Sequence, residues 1–195
     1  VYKRQPCSHT YPQAISCIAA LFSKAKVMYM QSYTIPYRII HELQNSKFSI
    51  LLSTPFYYNE LCDDFINDSF GLRLKLSAGG FPTKKVRETL NLNYVYGTSE
   101  TGVISIQLYE KTKDYNSVGV PIKGVRLLME DKINVLESSL LRQFGIISKY
   151  CCYKIKDGNK TELYNGYISL NDYGYQDDKG NIYLEGRVDN VININ

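Results

Sequence analysis

Two glycine-containing segments of the chain carry residue types that could hold a ligand. The first is Ser-Ala-Gly-Gly at residues 77–80, and the second includes Tyr96, Thr98, Ser99 and Glu100. An aromatic face, hydroxyls and a carboxylate can together hold a flat ring, a phosphate oxygen and a divalent cation. Glycine also lets the backbone approach a ligand closely. A plain glycine-rich turn is the alternative, and the residues alone leave both interpretations open.

A third polar cluster lies towards the end of the sequence. Asn-Asp-Tyr at residues 171–173 precedes Gly-Arg-Val-Asp at residues 186–189. Between them, Asp-Asp-Lys-Gly at residues 177–180 predicts a hairpin turn in which Gly180 takes a left-handed conformation. Charges around a hairpin are typical of a solvated turn, so this cluster indicates a site only where other motifs agree.

The elements that must position these segments alternate between helix and strand in the first half of the chain, which is typical of an α/β protein. Pro12, Pro36 and Pro55 suit the first turns of helices, and Thr54 and Thr83 suit helix caps. Strands are predicted at residues 26–30, 48–52, 72–76 and 91–96. Both glycine segments therefore follow strands, and open α/β sheets bind ligands at the carboxyl ends of their strands.

Beyond about residue 103 the helical period fades, and short β-like runs separated by turns follow. These runs lie at residues 103–108, 124–129, 145–150, 167–170 and 181–185. The sequence therefore predicts an α/β fold class, with a layered sheet-and-helix subdomain followed by a mostly β subdomain. We expect the first to span 1–102 and the second 103–188, with 189–195 as a hinge and the start of a C-terminal domain. The chain is expected to be truncated at both ends.

The composition argues against several classes of protein. The 195 residues are 44% hydrophobic, which supports one packed domain or part of a larger one. No apolar run reaches the roughly 18 residues of a membrane span. Lys and Arg are scattered, so the net charge of +4 does not predict a nucleic-acid surface. Five cysteines without CxxC spacing predict neither a disulfide framework nor a zinc site and favour a cytoplasmic location.

Taken in order, these segments resemble motifs of the adenylate-forming superfamily, which includes acyl- and aryl-CoA synthetases, peptide-synthetase adenylation domains and luciferases. YGTSET at residues 96–101 resembles the family's YGxTE motif, and LSAGG at 76–80 resembles its adenine-facing glycine loop. Four further segments look like its pocket-helix entry, SVGxPxxGV, GWxxTGD and GRxDxxI motifs: residues 6–11, 117–125, 165–175 and 186–192. The resemblance covers most of the chain, as the centre of the large AMP-binding domain.

The sequence departs from these motifs at a few positions. Ser99 replaces threonine and keeps the hydroxyl, and Leu-Asn-Asp at residues 170–172 replaces TGD and keeps the carboxylate. Gly-Ile-Ile at residues 145–147 stands where the family usually has GEL, so a charge is lost from a mainly structural element. Neither the family's glycine-rich phosphate loop nor its C-terminal catalytic lysine is found in the sequence. We therefore expect this chain alone to bind adenine nucleotide weakly and to catalyse no adenylation.

The resemblance also implies a role for each candidate residue. It implies adenine and nucleotide binding by Gly79, Gly80, Tyr96 and Gly97, ribose binding by Asp172 with support from Arg187, α-phosphate contact by Ser99, Mg²⁺ coordination by Glu100, an acyl pocket at His9 and a hinge at Asp189. Ser99 and Glu100 are the expected catalytic residues. Each residue also has a simpler interpretation, as a core aromatic, a turn cap, a surface ion pair or a solvated loop residue.

The function implied by the resemblance is ATP-dependent activation of a small-molecule carboxylic acid as an acyl-adenylate, followed by transfer to a thiol. An acyl- or aryl-CoA ligase is the leading hypothesis, with ATP and Mg²⁺ as cofactors and CoA or the pantetheine of an acyl carrier protein as cosubstrate. An amino-acid-activating adenylation domain and a non-catalytic nucleotide-binding module are the alternatives. Residues 7–10 offer no carboxylate for a substrate ammonium group, so an acid without an α-amino group is expected.

Overall fold

The computed structural model of this chain describes residues 18–30, 35–67, 70–111, 114–132, 142–151, 154–156, 159–161 and 166–187. It divides into two compact units, Val1–Tyr94 and Val95–Asn195. The boundary lies inside a strand and falls earlier than the predicted change of character at residues 102–103. The predicted domain bounds stay predictions.

The first unit packs short helices against parallel strands. β1 pairs with β2 from Ile50↔Leu74 to Ser53↔Ser77, and β2 neighbours the start of β3. The elements in chain order are α1 (Ala19–Phe22), α2 (Pro36–Asn45), β1 (Ile50–Ser53), α3 (Pro55–Glu60), α4 (Cys62–Asn67), β2 (Leu74–Ala78), α5 (Lys84–Leu90) and β3 (Asn93–Thr98).

The core of the first unit follows from the helical period. Pro36 occupies the first turn of α2, and the side chains of Ile39, Ile40 and Leu43 are buried as the spacing predicts. They pack in one cluster with Leu61, which lies between α3 and α4, and with buried residues of the other helices: Tyr58, Phe65, Val86 and Leu90. At α5 the Thr83 hydroxyl accepts a hydrogen bond from the Val86 amide at 3.3 Å, so the predicted cap is confirmed.

The second unit is built almost entirely from strands. Its elements are the rest of β3, followed by β4 (Gly102–Gln107), β5 (Val120–Pro121), β6 (Val125–Lys132), β7 (Arg142–Ser148), β8 (Lys154–Lys156), β9 (Asn159–Thr161), β10 (Tyr167–Gln176) and β11 (Ile182–Arg187). Four of these form an antiparallel sheet in the order β11-β10-β7-β6. Its core includes the fully buried residues Phe144, Ile146 and Ile182.

The α/β fold class, with a parallel sheet region followed by an antiparallel sheet, is confirmed. Three local predictions are wrong. Thr54 precedes α3 as predicted, but its side chain makes no capping hydrogen bond. Residues 26–30 form no strand, because an apolar alternation also needs a backbone partner, and β1 is the edge strand of the described sheet. The helix expected from Pro55 onwards is interrupted at Leu61, so α3 and α4 are separate. Within the described ranges, no helix has the length and hydropathy that a membrane crossing requires.

Candidate functional site

In the second unit, the carboxylate of Asp172 contacts two other predicted site residues, Tyr96 and Arg187. The Tyr96 hydroxyl, on β3, donates a hydrogen bond of 2.7 Å to Asp172 Oδ2 on β10. Arg187 Nε, on β11, lies 3.5 Å from Asp172 Oδ1. The side chain of Asp172 is 16% exposed, that of Arg187 is 60% exposed, and Tyr96 is buried. The carboxylate is therefore held from one side by a buried hydroxyl and from the other by an exposed cation.

The β10–β11 hairpin places Asp172 beside Arg187, because these residues are register partners. Asp177 stabilises the turn of this hairpin: its Oδ1 accepts from the Lys179 amide at 2.9 Å and from the Asn181 amide at 2.8 Å. Its Oδ2 accepts from Asn181 Nδ2 at 2.8 Å. Hydrogen bonding, chiefly from the Asn181 side chain, lowers the pKa of Asp177. Gly180 has a φ of 83°, so the predicted left-handed turn residue is confirmed.

The hairpin is tied to the rest of the second unit at Tyr183. The Tyr183 hydroxyl donates to Asp114 Oδ2 at 2.5 Å and lies 3.2 Å from Asp177 Oδ2. Its ring stacks on Tyr175 with a centroid distance of 4.6 Å and an interplanar angle of 6°. Burial and then the hydrogen bond to Asp114 raise the pKa of Tyr183. The hydroxyl is therefore a donor throughout the physiological range and fixes the turn.

The SVGxPxxGV-like segment contacts β11 through its backbone. Val118 N donates to Ile182 O at 2.8 Å, and Ile182 N donates to Gly119 O at 2.9 Å. A Cβ on Gly119 would lie 2.0 Å from Ile106 O on β4. Only glycine allows this segment to lie between β4 and β11. The motif therefore has a structural role in this chain.

The loop after β3 has a tight backbone and an exposed tip. A Cβ on Gly97 would lie 2.1 Å from Gly102 O, so the two ends of the loop approach too closely for a side chain. The buried Thr101 hydroxyl accepts from the Thr98 amide at 3.2 Å. Ser99 and Glu100 lie at the tip, and both are exposed. The loop therefore exposes the side chains of Ser99 and Glu100 to solvent, while its ends at Gly97 and Gly102 are closely packed.

The other glycine loop, Gly79–Gly80, belongs to the first unit and follows β2. The φ angles of these residues are 81° and 147°, in the region that favours glycine. The Tyr94 hydroxyl donates to Gly80 O at 2.5 Å. Both glycines are exposed. Backbone polar groups of this loop are thus accessible to a ligand, as the strand-to-loop prediction requires.

The arrangement in the second unit suits a ligand that carries neighbouring hydroxyl groups. A carboxylate has two oxygens and about four acceptor sites, and one contact on each oxygen of Asp172 leaves capacity for further donors. A single exposed carboxylate, Glu100, fits a Mg²⁺ ion that takes its other ligands from phosphates and water. Among the described residues, no group of three or more His, Cys, Asp or Glu could hold a metal ion by itself.

His9 and Asp189 lie outside the described residues, and their expected roles stay predictions. The roles of Ser99, Glu100, Gly79, Gly80, Gly97, Tyr96, Asp172 and Arg187 toward a nucleotide also stay predictions. The structure adds a contact of the Tyr96 hydroxyl with Asp172, which the implied role of Tyr96 in adenine binding did not include.

Three residues that support the candidate sites were missed in the sequence. Tyr183 and Asp114 form the hydrogen bond that connects the hairpin to the rest of the second unit, and Tyr94 contacts the Gly79–Gly80 loop. Tyr94 precedes Tyr96 by the two-residue period of a strand, which was a usable signal. Asp114 and Tyr183 are far apart in sequence, and no local pattern indicates that they meet.

Solved structures of adenylate-forming enzymes resemble this chain. ATP-bound MatB from Rhodopseudomonas palustris matches with a TM-score of 0.76 and 16% identity over 94% of this chain and 39% of that one. O-succinylbenzoate coenzyme A synthetase (MenE) from Bacillus subtilis, in complex with AMP, matches with a TM-score of 0.78 and 17% identity over 97% and 41%. A variant of an amide bond synthetase from Marinactinospora thermotolerans matches with a TM-score of 0.69 and 17% identity over 84% and 37%.

The chain therefore has the fold of the adenylate-forming enzymes, and the resemblance seen in its motifs is confirmed at the level of the fold. It spans about two fifths of the length of the solved structures that it matches, between 37% and 41% in these three cases. No sequence-family model matches the chain, and no curated protein sequence matches it.

Proposed function

We propose that the chain supplies the adenosine-binding part of an enzyme that activates a carboxylic acid with ATP and passes the acyl group to a thiol. The observation that carries this proposal is the contact of Tyr96 and Arg187 with one carboxylate, Asp172. The motifs that contain these residues are the ones that resemble the family. Structures with this fold that hold ATP, AMP, or ATP with magnesium also support it.

The proposed reaction has two displacement steps. In the first, an oxygen of the substrate carboxylate attacks the α-phosphorus of ATP, the bond from this phosphorus to the bridging oxygen breaks, and pyrophosphate leaves. In the second, a thiolate sulfur attacks the acyl carbon, the bond to the phosphate oxygen breaks, and AMP leaves; the thiol proton passes to solvent. Both steps depend on positioning and charge neutralisation, so no activated protein nucleophile is required.

Asp172 would accept hydrogen bonds from both ribose hydroxyls. The hydrogen bond from the buried Tyr96 hydroxyl restrains the orientation of the carboxylate, and a preorganised acceptor loses little entropy when the ligand binds. Arg187, which is 60% exposed, could turn from Asp172 towards a phosphate. Gly79 and Gly80 would meet the edge of the adenine ring with their backbone.

Ser99 and Glu100 would act at the phosphates. The Ser99 hydroxyl can donate to an α-phosphate oxygen, and the exposed carboxylate of Glu100 can supply one oxygen to Mg²⁺. The ion supplies neutralisation of the phosphate charge when it is bound. The close approach of Gly97 and Gly102 at the two ends of the loop would restrict the backbone and so the directions of the two side chains.

The finer parts of the proposal follow from the sequence. The acid lacks an α-amino group, and the acceptor thiol belongs to CoA or to the pantetheine of a carrier protein. His9 would line the acyl pocket, Asp189 would form the hinge, and the activity would be cytoplasmic. These parts rest on the resemblance and on the composition.

Calorimetric titration of the chain with AMP tests the nucleotide site. We expect Asp172→Asn to weaken AMP binding at least about tenfold, since a hydrogen bond to a charged group is lost. Asp178→Asn is the matched control, because Asp178 is an exposed carboxylate in the turn of the same hairpin. Equal affinity of the Asp172→Asn variant and the unchanged chain would refute the site.

Pyrophosphate exchange by the full product of the gene tests the reaction. A panel of fatty, aryl and amino acids separates the candidates, because only an activated acid supports exchange of labelled pyrophosphate into ATP. Exchange with acids that lack an amino group is the expected result. Preference for amino acids would favour the adenylation domain, and AMP binding without any exchange would favour a nucleotide-binding module.

A further inference from the structure

The hydroxyl group of the buried Tyr94 side chain contacts the Gly79–Gly80 loop of the first unit. Tyr94 is 3% exposed, and its hydroxyl donates to the carbonyl oxygen of Gly80 at 2.5 Å. We propose that Tyr94 is a positioning residue that fixes this loop so that it selects adenine over guanine. This inference rests on the proposed function, which places an adenine edge at the loop.

The loop needs a restraint from outside its own residues. Gly79 and Gly80 have φ angles of 81° and 147°, and consecutive glycines have more accessible backbone conformations than any other pair. A Cβ on Gly80 would meet only Pro55 Cγ at 3.6 Å, which is an ordinary contact. Glycine is therefore required at residue 80 by the backbone angle, not by lack of space. The hydrogen bond from Tyr94 supplies a restraint that packing at this residue does not.

Fixing one carbonyl also fixes the amide that follows it. The peptide unit is planar and trans, so the Gly80 carbonyl and the Phe81 amide point in opposite directions. A carbonyl oxygen has two lone pairs, and the hydrogen bond from Tyr94 uses one of them. The second lone pair can accept from the 6-amino group of adenine, whereas guanine presents an acceptor oxygen at that position. A loop held in this way distinguishes the two purines.

The ring of Tyr94 is itself held by two neighbours. It stacks on Phe81 with a centroid distance of 5.2 Å and an interplanar angle of 23°. The guanidinium carbon of Arg87, on α5, lies 5.2 Å from the centroid of the Tyr94 ring, and Arg87 is 1% exposed. These contacts leave the ring little freedom, so the hydroxyl is presented to Gly80 at a small entropic cost.

Tyr94→Phe removes the hydroxyl and keeps the ring. The matched control is Tyr58→Phe, because Tyr58 is also buried in the first unit and its hydroxyl also donates to backbone carbonyls, Leu51 O at 2.8 Å and Leu76 O at 3.4 Å, neither of which belongs to the loop. Amide hydrogen exchange of residues 79–81 reports on the loop, and calorimetric titrations with AMP and with GMP report on selectivity. We expect Tyr94→Phe to speed exchange in the loop and to weaken AMP binding about two- to tenfold. GMP binding should not change, so the AMP/GMP preference falls by the same factor.

Tyr58→Phe should leave both the loop exchange and the preference unchanged. Unchanged exchange and preference in Tyr94→Phe would overturn the inference, as would equal changes in both variants. Absence of AMP binding by the unchanged chain would refute the proposed function and the selectivity, while exchange would still decide whether Tyr94 restrains the loop. Circular dichroism checks folding. Should Tyr94→Phe not fold, Phe81→Leu replaces it. Phe81 is 47% exposed, and the substitution removes the aromatic ring that stacks on Tyr94. It should shift both readouts in the same direction as Tyr94→Phe.

Discussion

Arg187 lies opposite Asp172 in the register of β10 and β11, with its Nε atom 3.5 Å from Asp172 Oδ1. The pairing of the two strands therefore places these residues side by side, independently of the attraction between their charges. Since the guanidinium side chain is 60% exposed, solvent screens the ion pair. The ion pair therefore contributes little to the stability of the hairpin.

This arrangement predicts a separation between stability and binding in Arg187→Gln. The free energy of unfolding in urea should change by less than about 1 kcal/mol, because exposed ion pairs contribute little. The free energy of AMP binding should weaken by more than the free energy of unfolding falls, since the variant loses a charged donor. Lys179→Gln, which removes an exposed cation from the same hairpin, is the control. A large loss of stability with unchanged AMP affinity would contradict the assignment.

Tyr96→Phe should destabilise the second unit, because it removes a hydroxyl that donates to a largely buried carboxylate. The expected loss is about 1.5 to 3 kcal/mol, the range for hydrogen bonds to charged groups. Urea unfolding followed by circular dichroism measures it. Tyr37→Phe is the control, because Tyr37 is 74% exposed. Equal stability of the two variants would show that the hydroxyl does not hold Asp172.

Much of the fold could be predicted because its patterns are local. Pro36 with Ile39, Ile40 and Leu43 specifies α2, and Thr83 specifies the start of α5. The meeting of Tyr96 with Asp172 is different, because 76 residues separate them. No periodicity connects such a pair, and only the order of the motifs placed the two residues in one site.

The features that were missed depend on tertiary contacts. Leu61 interrupts the helix that begins at Pro55, and its side chain is 1% exposed. Hydrophobic spacing cannot show this, since buried positions look alike in one long helix and in two short ones. The tie between Asp114 and Tyr183 joins residues 69 positions apart, so it too lies beyond any local signal.

The hairpin turn should depend on pH through Asp177. Its folded pKa is lowered, so its stabilisation is fully present above the unfolded value of about 3.9 and is lost as pH falls through the folded value. Asp177→Asn should therefore be less stable than the unchanged chain at pH 6, with a difference that shrinks below pH 4. Urea unfolding at several pH values measures this. A difference that stays constant down to pH 2 would contradict the role of the charge.

Gly97→Ala should disrupt the loop after β3, because the added Cβ would lie 2.1 Å from a backbone oxygen that cannot rotate away. A loss of about 3 kcal/mol or more is expected, the upper end of the cost of overpacking. Gly71→Ala is the comparison: its φ is 66°, but nothing lies within 4 Å of its Cβ, so only the backbone strain of about 1–2 kcal/mol applies. Equal losses would show that the loop moves aside.

Ser77 and Ser105 are fully buried serines in opposite hydrogen-bonding situations. Among the described residues, Ser77 Oγ has no hydrogen-bond partner, whereas Ser105 Oγ donates to Val118 O at 2.8 Å. An unsatisfied buried hydroxyl costs about 1–3 kcal/mol, so Ser77→Ala should raise the free energy of unfolding. Ser105→Ala should lower it by about 1 kcal/mol, since the Val118 carbonyl loses its donor. Thermal and urea unfolding of both variants measure the two signs. Destabilisation by Ser77→Ala as large as that by Ser105→Ala would show that the Ser77 hydroxyl has a partner in solution.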